Sequence, residues 1–496
     1  MIKVIYLNES FVFIDTSESI FYELREYFSF FADGYQFNPK FKYGSWSGKI
    51  YLLDNQRQLP LGLVDQLKKF ASNSGYELDI DSRIYQKEEL SKEDYQTWLD
   101  KFEIYSGEKR ITPTWYQHEA IFKGITDKKR ILNLPTSAGK SLIQALLAKY
   151  YTETFEGNIL ILVPTIALTL QMKDDFIDYR LFNSKDIGIL GGKFRDTSSK
   201  IIVSTWQSAI KQPEKWFHQF GMLLVDECHL ATGKSISSLT QGLVNCQYKI
   251  GLSGSLKDGK ANLLQYIGLF GAVYKPVSTA QLMEEGHVTD LKINCLFLKY
   301  PDAIKEKTKG FPYSEEIKVI TKFKKRNTVI AKLAIKLAAN ENVFLMFKHI
   351  EHGKQLVEIL KSLGHENVHY VSGEVSGEDR DILKKLAETQ TGMIVVASYG
   401  VFSTGISVKN LHHVILAHPV KSKVIVLQTI GRVLRKHESK SKAVVWDIID
   451  DMSSTKETKS GPKRVNVNYA LKHGIERIKR YSEEKFEYVM KNVEIK

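Results

Sequence analysis

At 496 residues the chain is too long for a single hydrophobic core, and its length predicts about three or four domains. Hydrophobic residues at 43% and aromatics at 11% exclude extended disorder, and no apolar run reaches the roughly 18 residues needed to cross a bilayer. The net charge of +13 is uneven: residues 1–110 carry 14 Lys and Arg against 18 Asp and Glu, a net −4, so the remainder carries +17, the footprint of a phosphate-backbone partner.

Residues 1–9 hold too short an apolar stretch for a signal peptide and meet Glu9 at once. Residues 11–15 read as a strand, 17–24 as a capped helix, and 43–53 as a hairpin turned at its glycines. A charged helix over 87–101 leads out of this region, so residues 1–105 are expected to form a small α+β accessory domain. From Gly107 the rhythm changes to apolar strands alternating with amphipathic helices, the signature of a parallel sheet. Strands are expected at 131–134, 159–163, 201–203, 222–225 and 248–252, within a first α/β domain over 106–285. After a connecting stretch near 280–325 the pattern restarts at 343–347, 368–371, 393–397, 414–417 and 443–446, giving a second parallel-sheet domain over 286–450. Residues 455–463 read as a polar linker, and about 467–491 as a basic amphipathic helix, so 451–496 is expected to be a helical extension. Its mixed charge favours a face packed on the preceding domain over a DNA-binding tail. Cys228, Cys246 and Cys295 suggest neither a disulfide framework nor a zinc site, which fits a reducing cytoplasm.

The most informative segment is Leu134-Pro135-Thr136-Ser137-Ala138-Gly139-Lys140-Ser141, which follows an apolar strand and opens an apolar helix. That context suits a phosphate-gripping loop: backbone N–H groups wrap the phosphates while the helix N-terminus adds partial positive charge. Lys140 would reach the β- and γ-phosphates of ATP, and the Ser141 hydroxyl would ligate Mg²⁺. Leu134 stands where the motif usually has its first glycine, so the loop alone is equally an ordinary strand–helix turn. Asp226 and Glu227 follow a buried strand, at the end where open parallel sheets gather ligands. In that place Asp226 would hold Mg²⁺ and Glu227 would orient and deprotonate the attacking water; in isolation such a pair is as readily a solvated turn. Gln117, at a helix start, has an amide able to pair with both edges of adenine.

Taken in order, these segments resemble the superfamily 2 helicases with an Asp-Glu-x-His box. Gln117, Gly139-Lys140-Ser141, Val163-Pro164-Thr165, Ser204-Thr205-Trp206-Gln207, Asp226-Glu227-Cys228-His229 and Ser253-Gly254-Ser255 match the first lobe. Phe347-Lys348-His349, Ser403-Thr404-Gly405-Ile406-Ser407 and residues 428–435 match the second. The whole chain is similar to the recombination helicases of T-even-like phages within that group. The resemblance implies two tandem RecA-like domains with one ATP expected between them, and Arg432 and Arg435 acting as arginine fingers. It also implies that Gln428, His229, Ser253 and Ser255 link hydrolysis to movement, and that Thr165, Thr205 and Thr404 line a strand-tracking groove to which Lys348 adds charge. Each of the three threonines is otherwise a plain helix cap. Thr114 and Trp115 replace the arginine often found before Tyr-Gln, which weakens adenine selectivity.

The implied activity is an ATP-dependent DNA helicase or branch-migration motor acting on forks, Holliday junctions, R-loops and duplex DNA, RNA–DNA hybrids included. Expected partners are DNA and phage recombination proteins, with no membrane, a host-cytoplasmic location and a monomeric or weakly associating chain. An RNA helicase is the neighbouring reading. A non-hydrolysing nucleic-acid clamp is disfavoured because a clamp needs no water-activating base, and a nuclease because residues 1–105 hold no carboxylate–lysine cluster.

Overall fold

The computed structural model describes the chain from Met1 to Ile495 apart from residues 33, 232, 255, 257–259, 376, 405–407, 459 and 460, and without the side chains of 260–262, 377, 378, 381, 403, 404, 423, 456–458 and 461–463. It divides into two compact units, Met1–Leu134 with Ala138–Pro276, and Val277–Lys496 with Pro135–Ser137.

The first unit opens with β1 (Ile2–Tyr6), β2 (Phe11–Asp15), β3 (Ser29–Phe31), β4 (Lys49–Tyr51), β5 (Gln58–Pro60) and β6 (Leu78–Ile80). Four of these form a sheet in the order β5-β2-β1-β6. Alternation drives its burial: Ile2, Val4, Val12 and Ile14 face a core filled by Phe21 and Leu24 of the helix Glu18–Tyr27. The hairpin expected over residues 43–53 does not form. The chain does turn at Gly44 and Gly48, both at positive φ, but β4 pairs antiparallel with β3, placing Ile50 opposite Phe30. The charged helix expected from residue 87 begins only at Lys92, where the Ser91 hydroxyl accepts from the Asp94 N–H at 3.0 Å.

The same unit continues through the hairpin β7 (Ile104–Ser106) and β8 (Lys109–Ile111) into β9 (Lys129–Asn133), β10 (Asn158–Val163), β11 (Ile187–Gly191), β12 (Phe194–Arg195), β13 (Ile201–Thr205), β14 (Phe220–Val225), β15 (Tyr248–Ser253) and β16 (Val273–Tyr274). These last eight form one sheet in the order β12-β11-β13-β10-β14-β15-β9-β16, parallel except for β12. All five expected strands are present, and β11, whose apolar run is interrupted by Gly188, is an addition, as are the two-residue strands β12 and β16.

The accessory sheet shares a hydrophobic core with this larger one. Leu61 and Leu63 belong to the same cluster as Ile267 and Phe270. A Cβ on Gly62 would stand 2.0 Å from the Ile267 carbonyl oxygen, so only glycine permits that approach. Lys249 is buried beneath the joint and donates to the Glu9 carbonyl at 3.0 Å and the Ser10 hydroxyl at 2.7 Å. Burial pushes its amine down to about 7. Between pH 7 and the unfolded lysine value the unfolded chain binds a proton that the folded chain has released, so this site adds stability as pH rises across that window. Urea midpoints compared at pH 6.5 and pH 9 should therefore rise more for the wild type than for Lys249→Met. Equal rises would remove Lys249 as the cause.

The second unit holds β17 (Asp290–Lys299), β18 (Val343–Phe347), β19 (Val368–Val371), β20 (Ile394–Ser398), β21 (His413–Leu416), β22 (Lys442–Asp451), β23 (Ser454–Thr458), β24 (Gly461–Val465) and β25 (Tyr488–Glu494). Its seven-stranded sheet runs β19-β20-β18-β21-β22-β17-β25, with every neighbour pair parallel. Two expectations are corrected here. The stretch read as a polar linker is the β23–β24 hairpin, with Lys456 opposite Lys463. The terminal helix spans only Tyr469–Glu483, because Lys485 adopts φ +58° and the chain turns back to add β25 at the sheet edge. That helix is packed inward, as its mixed charge suggested: Arg477 is buried, with its Nη2 2.7 Å from Asp447. β17, inside the expected connecting stretch, is a buried strand.

Candidate active site

Strand order brings the predicted residues of the first unit together. β14, β15 and β9 are neighbours in one parallel sheet, with Val225 opposite Gly251 and Ser253 opposite Asn133. Their C-terminal ends therefore deliver the acid pair, Ser253 and the phosphate loop side by side. Gly139 caps the helix Lys140–Thr154 at φ +73°, and a Cβ there would meet the Gln117 amide nitrogen at 2.2 Å. The left-handed backbone favours glycine here, and any side chain would also have to displace the Gln117 amide.

Lys140 Nζ lies 3.4 Å from Glu227 Oε1. The other carboxylate oxygen, Oε2, lies 3.2 Å from His229 Nδ1, which is also 2.8 Å from the Ser253 hydroxyl. A continuous chain thus runs from the phosphate loop to the end of β15. His229 is fully buried, and the Tyr266 hydroxyl donates to its carbonyl at 2.9 Å. Glu227 sits in the left-handed region at φ +48°, which turns its side chain back towards the loop. Burial alone would raise the Glu227 carboxyl, but Lys140 and then His229 overrule it and hold the group down at about 2.

Gln117 serves the loop. Its Oε1 accepts from the Thr114 N–H at 2.9 Å, and its Nε2 donates to the Ala138 carbonyl at 3.0 Å. One amide hydrogen and one lone pair remain for a purine. The Ser141 hydroxyl is 2.7 Å from the Tyr179 hydroxyl, a partner 38 residues away that no sequence motif announces. Ser141 and Asp226 offer a hydroxyl and a carboxylate, hard oxygen donors of the type Mg²⁺ takes when substrate phosphates and water complete its shell.

Of the predicted groove threonines, Thr165 caps a helix with its side chain, whereas the Thr205 hydroxyl makes no cap bond. Thr165 accepts from the Leu168 N–H at 3.3 Å at the start of the helix Ile166–Asp178, and Thr205, 4% exposed, donates to the Ser208 hydroxyl at 3.0 Å. In the second unit Lys348 and His349 are exposed at the end of β18, where they line a cavity of about 670 Å³ with Lys318, Lys322 and His418. Burial, together with Arg326 and neighbouring histidines, lowers His352 to about 2; burial, then His349 and Arg326, lowers His418 to about 3. Arg432 lies on the helix Lys423–Val433, its guanidinium 6.0 Å from the Phe402 ring centre, and Arg435 follows that helix. Gln428 is buried on the same helix. Lys440, absent from the sequence reading, donates to the Lys409, Leu411 and Val433 carbonyls at 2.8–3.1 Å and clamps the end of the arginine helix. Pro135, Thr136 and Ser137 group with the second unit; Ser255 and the Thr404 side chain lie outside the described residues.

Three family models match: "DNA helicase UvsW, N-terminal" over residues 1–81, "Type III restriction enzyme, res subunit" over 110–258 and "Helicase conserved C-terminal domain" over 324–437. The chain is 61% identical over 503 residues to the ATP-dependent DNA helicase uvsW of Enterobacteria phage T4, with both proteins covered in full. It is 28% identical over 264 residues to the DNA 3′-5′ translocase XPB2 of Sulfurisphaera tokodaii, covering 51% of this chain and 57% of the relative. The crystal structure of T4 UvsW matches at 58% identity and a TM-score of 0.55, again over both chains in full. Likeness in fold alone extends to the DNA-bound restriction-modification enzyme LlaBIII, at 14% identity, a TM-score of 0.54, and 86% and 34% of the two chains.

Fold and site together define a superfamily 2 helicase, a class of nucleic-acid-stimulated ATPases. The chain belongs to the UvsW family of ATP-dependent DNA helicases. It binds nucleic acid and hydrolyses ATP, and no helix among its described residues is long and apolar enough to cross a membrane.

Proposed function

We propose that this chain couples Mg²⁺-dependent ATP hydrolysis to the unwinding, annealing and branch migration of forks, Holliday junctions and R-loops in recombination, repair and replication, working in the cytoplasm. The observation that carries this reading is the Lys140–Glu227 ion pair at the strand ends. Lys140 cannot serve a carboxylate and a triphosphate equally. As phosphate oxygens engage its ammonium, Glu227 loses the partner that most depresses its acidity and becomes a better proton acceptor. When bound, Mg²⁺ would be held by Ser141 and Asp226 and would neutralise charge on the phosphates. His229 passes the change at Glu227 to Ser253, giving hydrolysis a route towards segment 253–255.

Arg432 and Arg435 are assigned to the charge that develops on the terminal phosphoryl group. Arg432→Ala should lower kcat by roughly 10³-fold with little change in ATP affinity. A loss confined to affinity would make Arg432 a ground-state contact instead.

Branched DNA is favoured as substrate by the accessory sheet. Phe37 and Tyr43 are 78% and 86% exposed on either side of the short helix Pro39–Lys42, which carries Lys40 and Lys42. Phe41 and Trp46 are engaged within the accessory domain: Phe41 packs edge-on against Tyr35, and the Trp46 indole donates to the Lys49 carbonyl. ATPase rates with single-stranded DNA, duplex, four-way junction and RNA at fixed salt test this choice. The junction should stimulate most. Greater stimulation by RNA would transfer the activity to RNA remodelling.

A further inference from the structure

We infer that Tyr179 is a positioning residue that orients the Ser141 hydroxyl towards the cation accompanying the nucleotide. This rests on the proposed role of Ser141 as a metal ligand. A serine hydroxyl has one proton and two lone pairs, and when a lone pair binds a cation the proton must point away to an acceptor. The Tyr179 oxygen, 2.7 Å from Ser141 Oγ, is placed to be that acceptor. Without it the Ser141 hydroxyl is free to rotate, and its lone pair is aimed at the cation only part of the time.

The tyrosine is held from both sides. It follows the helix Ile166–Asp178, and the Asp178 carboxylate accepts from the Gly107 N–H at 2.9 and 3.0 Å. On its other side Arg180, at φ +58°, lays its guanidinium 3.7 Å from the Tyr105 ring centre. Both anchors belong to the β7–β8 hairpin, so the phenol is pinned by structure outside the nucleotide loop.

The helix that ends at Tyr179 begins at Thr165, one of the residues assigned to the nucleic-acid path. A shift of that helix on DNA binding would therefore reach Ser141 directly.

The test uses the full chain carrying Tyr179→Phe, with Mg²⁺ titrated into its complex with a fluorescent ADP analogue. Apparent Mg²⁺ affinity should fall roughly three- to tenfold, the effect of losing one hydrogen bond, while metal-free nucleotide affinity is kept. In a Ser141→Ala background the same change should add nothing. Equal Mg²⁺ affinity in wild type and Tyr179→Phe overturns the inference, as does an undiminished loss in the Ser141→Ala background, which would mark a merely structural role. If wild-type nucleotide binding takes no account of Mg²⁺, the Ser141 assignment itself falls. Retained metal-free affinity reports that the variant is folded.

Discussion

Glu227→Gln is expected to slow hydrolysis by roughly 10²–10⁴-fold while leaving ATP and DNA binding intact. The amide keeps the size of the carboxylate but can neither take a proton from water nor pair ionically with Lys140. In the proposed mechanism the wild-type pair is exchanged for contacts with phosphate before ATP is gripped. The variant has no such exchange to make, so its ATP affinity should equal or exceed the wild-type value. Single-turnover hydrolysis and an equilibrium nucleotide titration measure the two effects separately. Wild-type turnover in Glu227→Gln would exclude the residue as the base. Weakened ATP binding would mean that Glu227 supports the loop and has no part in proton transfer.

The second large effect concerns stability. Arg326 and Asp450 are both fully buried, joined by Nε and Nη2 contacts of 2.8 and 2.9 Å. Arg326 also donates to the Ala417 carbonyl at 2.6 Å, and the Tyr300 hydroxyl donates to Asp450 at 2.8 Å. Removing one partner of such a pair strands a charge in a low-dielectric interior, so Arg326→Ala should destabilise the second unit by about 3–5 kcal/mol. Replacing both residues together, as in Arg326→Met with Asp450→Leu, should cost less because no charge is left unpaired. Hydrogen exchange of the β22 amides in urea reports on this unit within the whole chain. Unchanged protection in Arg326→Ala would show that water or a rearranged side chain solvates Asp450.

These two sites differ in how openly the chain displays them. Glu227 was legible because a carboxylate just past an apolar strand is a local pattern, and Lys140 because a Gly-Lys-Ser run between a strand and a helix is another. Arg326 carries no such signal. Its partner is 124 residues away, and a lysine- and arginine-rich helix start looks solvent-facing until the fold buries it. Arg477 misled in the same way: Lys472, Glu476 and Lys479 of its helix are exposed, but Arg477 itself is buried against Asp447.

Short-range chemistry in the sequence thus determined the ten strands expected in the two parallel sheets and marked the Gly139-Lys140-Ser141 and Asp226-Glu227 segments as the candidate site, since apolar runs, turn residues and strand-end motifs act over a few residues. Only the tertiary structure decided which strand ends are neighbours, that Tyr179 meets Ser141, that Lys440 clamps the arginine helix, and that the last segment closes a sheet as β25. Those outcomes depend on strand order and on partners dozens to hundreds of residues apart, where burial of the whole fold overrides what each segment shows alone.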